Sequence, residues 1–182
     1  MVLPILLYGN PILKKKATAI NSDYPNLEQL IQNMWDTMVF AKGVGLAAPQ
    51  IGLSIRLFVV DSMPYFEDKK EGSGIKKVFI NAEIIKESGK PWNFEEGCLS
   101  IPGIHGEVER KSNVLIKYQD EQFNWHEEEF DDINARVIQH EYDHIEGVLF
   151  VEKISQVRKQ LISRKLEKIK KGMHDAKYPV RQ

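Results

Sequence analysis

The stretch Gln139-His140-Glu141-Tyr142-Asp143-His144 constrains this chain more than any other. Histidines four residues apart share a face when the segment is helical, and both imidazoles then reach one metal ion. Glu141, one position after the first histidine, points off that axis toward the place of an attacking water. A His-Glu-x-x-His segment is the mark of metal-assisted hydrolysis, with the carboxylate as general base. The competing reading is two surface histidines beside an acid, because short patterns also arise by chance. A third ligand, an oxyanion donor and a substrate groove elsewhere in the chain would decide between the two.

With 182 residues, 42% of them apolar, the chain is long enough for one globular domain with a proper core. No apolar run approaches the ~20 residues a membrane span needs. The segment Met1 to Tyr8 is too short for a signal core and is broken by Pro4, and its basic cluster Lys14-Lys15-Lys16 follows the apolar run. A lone cysteine, Cys98, allows no intrachain disulfide, and a cytoplasmic protein is expected. Charge is uneven: residues 151–182 hold ten Lys or Arg against three acids, so the other 150 residues carry −8 of the total −1. That asymmetry fits either a solvated basic face or an anionic partner.

Along the chain, residues 9–26 read as an irregular polar segment. Leu27, Leu30, Ile31, Met34 and Met38 predict a helix with Asn26 as N-cap and Gln29 in the reciprocal position, ending near Lys42. Next comes Gly43-Val44-Gly45-Leu46-Ala47-Ala48-Pro49-Gln50-Ile51-Gly52, glycine-rich yet apolar. Small side chains there admit either a ligand or a tightly packed neighbouring backbone. Strands are predicted at 55–61 and 77–87, with a polar loop at 62–76 between them. Residues 91–99 are read as extended. A hairpin joins 107–118 to 122–130, with Phe123 and Trp125 on one face. The motif helix then runs to about Ile145 and stops at Gly147. A last helix, roughly 155–171, carries Val157, Leu161, Ile162, Leu166 and Ile169 as its apolar stripe and a basic opposite face.

A catalytic zinc-type site needs about three protein ligands and one open position. His140 and His144 supply two, and Cys98, in a turn-bounded segment, is the best candidate for a third. Two other readings of Cys98 stand beside this one, a buried hydrophobe and a catalytic nucleophile. A nucleophilic cysteine leaves the second histidine and the acid unexplained, whereas the metal reading accounts for all four residues.

Three segments, Gly43-Val44-Gly45-Leu46-Ala47-Ala48-Pro49-Gln50, Glu96-Gly97-Cys98-Leu99-Ser100 and Gln139-His140-Glu141-Tyr142-Asp143-His144, resemble the three motifs of the peptide deformylases, in order and in separation. Ile101-Pro102-Gly103, Val108-Glu109-Arg110 and Gly147-Val148-Leu149-Phe150 agree with that resemblance. It is to the bacterial type with a C-terminal α-helix. It implies a single α+β domain over 1–182, mostly antiparallel β-sheets packed around the motif helix, with an N-terminal and a C-terminal helix.

The resemblance further implies that Cys98, His140 and His144 bind one divalent metal, typically Fe²⁺, with Zn²⁺, Ni²⁺ or Co²⁺ as substitutes. Glu141 would take a proton from the attacking water and return it to the leaving amine. Gln50 and the Leu99 N–H would hold the oxyanion. The substrates would be N-formylmethionyl nascent peptides, with formate released, and neither membrane nor DNA is implied as a partner. Ile133 and Val137 share the His140 face of the helix and, with Val44 and Phe94, are expected to wall a methionine pocket. The backbone around Val44 and Gly45 is expected to pair with the peptide as an added strand. Asp143 is expected to anchor the helix from behind, with Arg110 as a candidate partner, against the competing reading that both are simply exposed at the surface. The basic last helix is a candidate ribosome contact.

Two departures from the family pattern stand out. Ala82 follows Asn81 where the family has proline, and His105 stands where some relatives have arginine. Two other classes compete with the deformylase reading. One is a thiolate-ligated metallopeptidase or amidase of other specificity, the other a non-catalytic metal-binding or ribosome-associated module. Glu141 separates enzyme from binder, since a structural site needs no carboxylate beside its ligands.

Overall fold

The structure, a computed structural model, describes residues 1–66 and 73–182. In chain order the elements are β1 (Ile5–Leu6), α1 (Leu27–Phe40), β2 (Gly45–Ala47), β3 (Leu57–Asp61), β4 (Lys76–Cys98), β5 (Ile101–Gln119), β6 (Trp125–Asp131), α2 (Asp132–Ile145), α3 (Gln156–Lys170) and β7 (Val180–Arg181). β2 to β6 form one antiparallel sheet in sequence order, and β1 pairs with β7 in parallel. The result is the expected single α+β domain around a central helix.

α2 is central because ten of its fourteen residues are buried, polar ones included. Its apolar side, with Ala135, Val137 and Ile138, packs on Phe58, Phe79, Val114 and Ile116 of the sheet. α1 covers the other face of β2 and β3 through Ile31, Met34 and Met38. A third cluster joins β1, the start of β5 and α3.

Several local expectations change. Asn26 adopts a left-handed conformation (φ 55°) and makes no side-chain cap, while Gln29 bonds Asn33 instead. The strand predicted at 77–87 continues to Cys98, straight through Pro91. Its pairing with β5 absorbs that break as a register shift between Ser88 and Pro91, where the missing N–H does no harm. Phe123 sits in the β5–β6 turn at φ 62° and packs inward, whereas Trp125 is exposed, so the two do not share a face. Of the α3 stripe, Ile162 and Ile169 are buried while Val157 and Leu161 face solvent. The polar loop expected at 62–76 includes a 3₁₀ turn at Met63–Phe66, and its 67–72 part lies outside the described residues. At Ala82 the turn is held without proline, because the preceding Asn81 side chain bonds both the N–H and the carbonyl of Ile20.

Candidate active site

α2 ends where Gly147 takes φ +75°, one turn after His144, so both histidines lie in its last two turns. Their ring centroids are 5.2 Å apart. Cys98 arrives from the sheet as the last residue of β4, just before the two-residue turn Leu99-Ser100. The Tyr8 N–H pins that turn by donating to the Ser100 carbonyl at 2.8 Å. Cys98 Sγ lies 3.4 Å from His144 Nε2. One atom each from Cys98, His140 and His144 fall within 4.8 Å of one another, a grouping that could hold a metal ion.

The charges behind this grouping are wired through Glu96. Arg110 grips it bidentately, Nε to Oε1 at 2.7 Å and a terminal nitrogen to Oε2 at 3.0 Å. Arg136 donates to Oε1 at 2.9 Å and His140 Nδ1 to Oε2 at 2.8 Å. Burial alone would raise the Glu96 pKa, but its bonds to His140 and Arg110 win and hold it well below the usual carboxylate range. An ionised carboxylate only accepts, so His140 Nδ1 carries a proton and Nε2 is the nitrogen left to face an ion. That is how a ligand histidine is usually oriented. Burial would lower the His140 pKa, but its hydrogen bonds to Cys98 and Glu96 hold it well above the ordinary value. Burial also holds His144 well below its ordinary pKa, leaving it neutral.

Asp143 meets Arg110 at 2.8 Å, as expected, and also takes Lys153 at 3.0 Å. The sequence reading passed over Glu96 and Arg136 as functional residues. Signals existed: Glu96 is two residues before Cys98 in an extended segment, hence on its face, and Arg136 is one turn before His140.

Glu141 is buried on the other flank of α2. Burial pushes its carboxyl up to about 7, and its Oε2 has no hydrogen-bond partner among the described residues. The carboxylate lies against Gly45, where any Cβ would collide with it. This explains a glycine at that point in the apolar segment better than a turn requirement does. Gln50 sits on the 3₁₀ turn after β2. Its Oε1 accepts from the Ala47 N–H at 2.9 Å, which turns Nε2 toward Cys98 Sγ (3.4 Å) and Ser100 Oγ (3.3 Å).

A groove of about 640 Å³ opens over these groups. Val44, Gly45, Gln50, Phe94, Cys98, Leu99, Val137, His140 and Glu141 all line it. His144 is buried beneath. Ile133 is the exception: it is not part of the lining and packs, half buried, against the sheet-side core beside Val44 and Ile75. Seven residues before His140 is two turns away, and by then the helix has carried its side chain past the groove. Tyr65 and residues 175–178 line the groove without any prior expectation.

An α+β domain with a His-Glu-x-x-His helix facing a strand-borne cysteine across a groove falls in the metallohydrolase class. The chain belongs to the polypeptide deformylase family, whose model matches residues 2–160. It is 52% identical to a peptide deformylase of Christiangramia forsetii, over 100% of this chain and 96% of the relative. It is 54% identical to one of Flavobacterium johnsoniae, over 94% and 91%. Among solved structures, a peptide deformylase from Legionella pneumophila superposes with a TM-score of 0.82 at 39% identity, covering 98% of this chain and 100% of that one.

Proposed function

We propose that this protein removes the formyl group from the N-terminal formylmethionine of newly made polypeptides, releasing formate. The observation that carries the reading is the buried Glu141 carboxylate beside the Cys98, His140 and His144 grouping, under a groove edged by β2. Those three residues fit one divalent ion, by donor type and by the Glu96 bond that orients His140. A thiolate with two imidazoles accepts Fe²⁺ and Zn²⁺ alike, and family membership favours Fe²⁺. When bound, such an ion supplies Lewis-acid polarisation of the formyl oxygen and a more acidic water.

Glu141 takes the proton from the attacking water and delivers it to the departing amine nitrogen, which a carboxyl held near neutral pKa is suited to do. Gln50 Nε2 and the Leu99 N–H hold the developing oxyanion. Val44, Phe94 and Val137 receive the methionine side chain. β2 ends the sheet, and its outer edge is free of strand partners among the described residues. A peptide laid along it pairs through backbone and is accepted whatever its later sequence.

Formate release from formyl-Met-Ala-Ser, against acetyl-Met-Ala-Ser, by protein purified without oxygen tests the reading. Release from the formyl peptide alone is expected. Equal cleavage of both would point to a general amidase.

No helix among the described residues is long and apolar enough to cross a membrane, and the proposed site of action is the cytoplasm, where nascent chains emerge. α3 supports a contact with the anionic ribosome surface, since Arg158, Arg164, Lys165, Lys168 and Lys170 are all exposed. Ribosome co-sedimentation that falls steeply with salt is the expected result.

A further inference from the structure

After α3 the chain turns back. Residues 175–178 line the groove, β7 pairs with β1, and Arg181 donates to the Ile51 carbonyl at 3.0 Å. This return lies beyond the residues matched by the family model. It brings the Tyr178 hydroxyl to the Leu99 carbonyl, where it donates at 2.7 Å. The two side chains pack against the same core cluster.

Leu99 is half of the two-residue turn between β4 and β5, next to Cys98. Its neighbour Ser100 is fixed twice, at the carbonyl by Tyr8 and at the hydroxyl by Gln50. Without Tyr178, the Leu99 carbonyl has no other hydrogen bond holding it in that turn among the described residues. The Leu99 N–H belongs to the peptide unit before the Leu99 Cα and the carbonyl to the unit after it. Pinning the carbonyl therefore limits the swing of the N–H through the two Leu99 backbone dihedrals, and an oxyanion donor works only when aimed beforehand.

We propose that Tyr178 is a positioning residue for the reaction, holding the Leu99 segment from the C-terminal return so that its N–H stays aimed into the groove. The role rests on the deformylase reading, in which that N–H meets the oxyanion. Tyr178 does not touch the reacting atoms in this scheme.

The test uses the full chain with Tyr178→Phe, which keeps the ring and removes one oxygen. Turnover per metal-loaded site should fall about tenfold, the size of one ordinary hydrogen bond, with KM within about twofold. Amide hydrogen exchange at Leu99 and Ser100 should quicken in the metal-free variant while exchange in α2 stays as it was. A merely structural role would instead quicken exchange across the return and β1, or lower the unfolding midpoint without a local change, and either result overturns the proposal. So does unchanged turnover. Glu141→Gln serves as the companion: if it is inactive while Tyr178→Phe is fully active, only the Tyr178 role fails. If Glu141→Gln is active, the deformylase reading fails and takes the role with it.

Discussion

Glu96, packed against α2, receives four hydrogen bonds at 2.7–3.0 Å from Arg110, Arg136 and His140. Glu141, on the same helix, is just as buried, and its Oε2 receives none among the described residues. A buried polar atom without a partner costs about 1–3 kcal/mol, so the two carboxylates do opposite work. The Glu96 carboxylate is satisfied by its neighbours and fixes where His140 stands. Glu141 lines the groove and keeps bonding capacity open for something that enters it. A protein optimised for stability alone would not leave the second carboxylate as it is.

The contrast can be broken at Glu96 first. Glu96→Ala leaves Arg110 and Arg136 buried without their shared carboxylate, and a loss of about 3–5 kcal/mol is expected from denaturant unfolding. Turnover lost with no loss of stability would make Glu96 a part of the chemistry instead of the scaffold.

Glu141→Gln is the matching change at the second carboxylate. Turnover should fall by about 10²–10⁴, with metal content kept and the unfolding midpoint unchanged or raised, because a costly buried carboxyl is gone. A large drop in stability would show that Glu141 supports the fold after all.

Chelation comes next in size. Removing the metal should abolish formate release and lower stability by about 2.7 kcal/mol if the metal had been present at a hundred times its Kd. Restoring Fe²⁺ or Zn²⁺ should recover both quantities. Gly45→Ala forces a methyl into the Glu141 carboxylate, and a cost of about 1–3 kcal/mol is expected along with reduced turnover.

The smallest effect is expected at Asp143→Asn, about 1 kcal/mol, since Arg110 keeps Glu96 as its partner. A double charge reversal at Arg110 and Asp143 should not restore stability. The reversed residue 110 would set a second carboxylate against Glu96, so failed rescue says nothing against the observed pair.

Much of this was legible. His140 and His144 sit on one face, α2 stops at Gly147, and Arg110 meets Asp143, all from local spacing or charge type. The errors share a cause. Asn26 looked like a cap, yet its backbone is left-handed instead of extended, and its side chain makes no cap bond. Phe123 looked like a strand residue because an apolar neighbour lay two positions on, but a left-handed turn reverses its direction. Ile133 has the right residue type at a helical multiple of His140, yet two turns of helix carry it out of the groove and into the core.

By itself the sequence determined the chemistry of the donors and the helix that pairs two of them, because a period of 3.6 residues is a property of the backbone alone. It also carried the family resemblance that the whole-chain matches bear out. Tertiary structure decided what joins them: Cys98 brought to His144, Glu96 to two arginines and a histidine, Glu141 onto Gly45, and Tyr178 onto Leu99. Those contacts span tens of residues, and whether a polar group is open or satisfied depends on which distant atoms burial places against it.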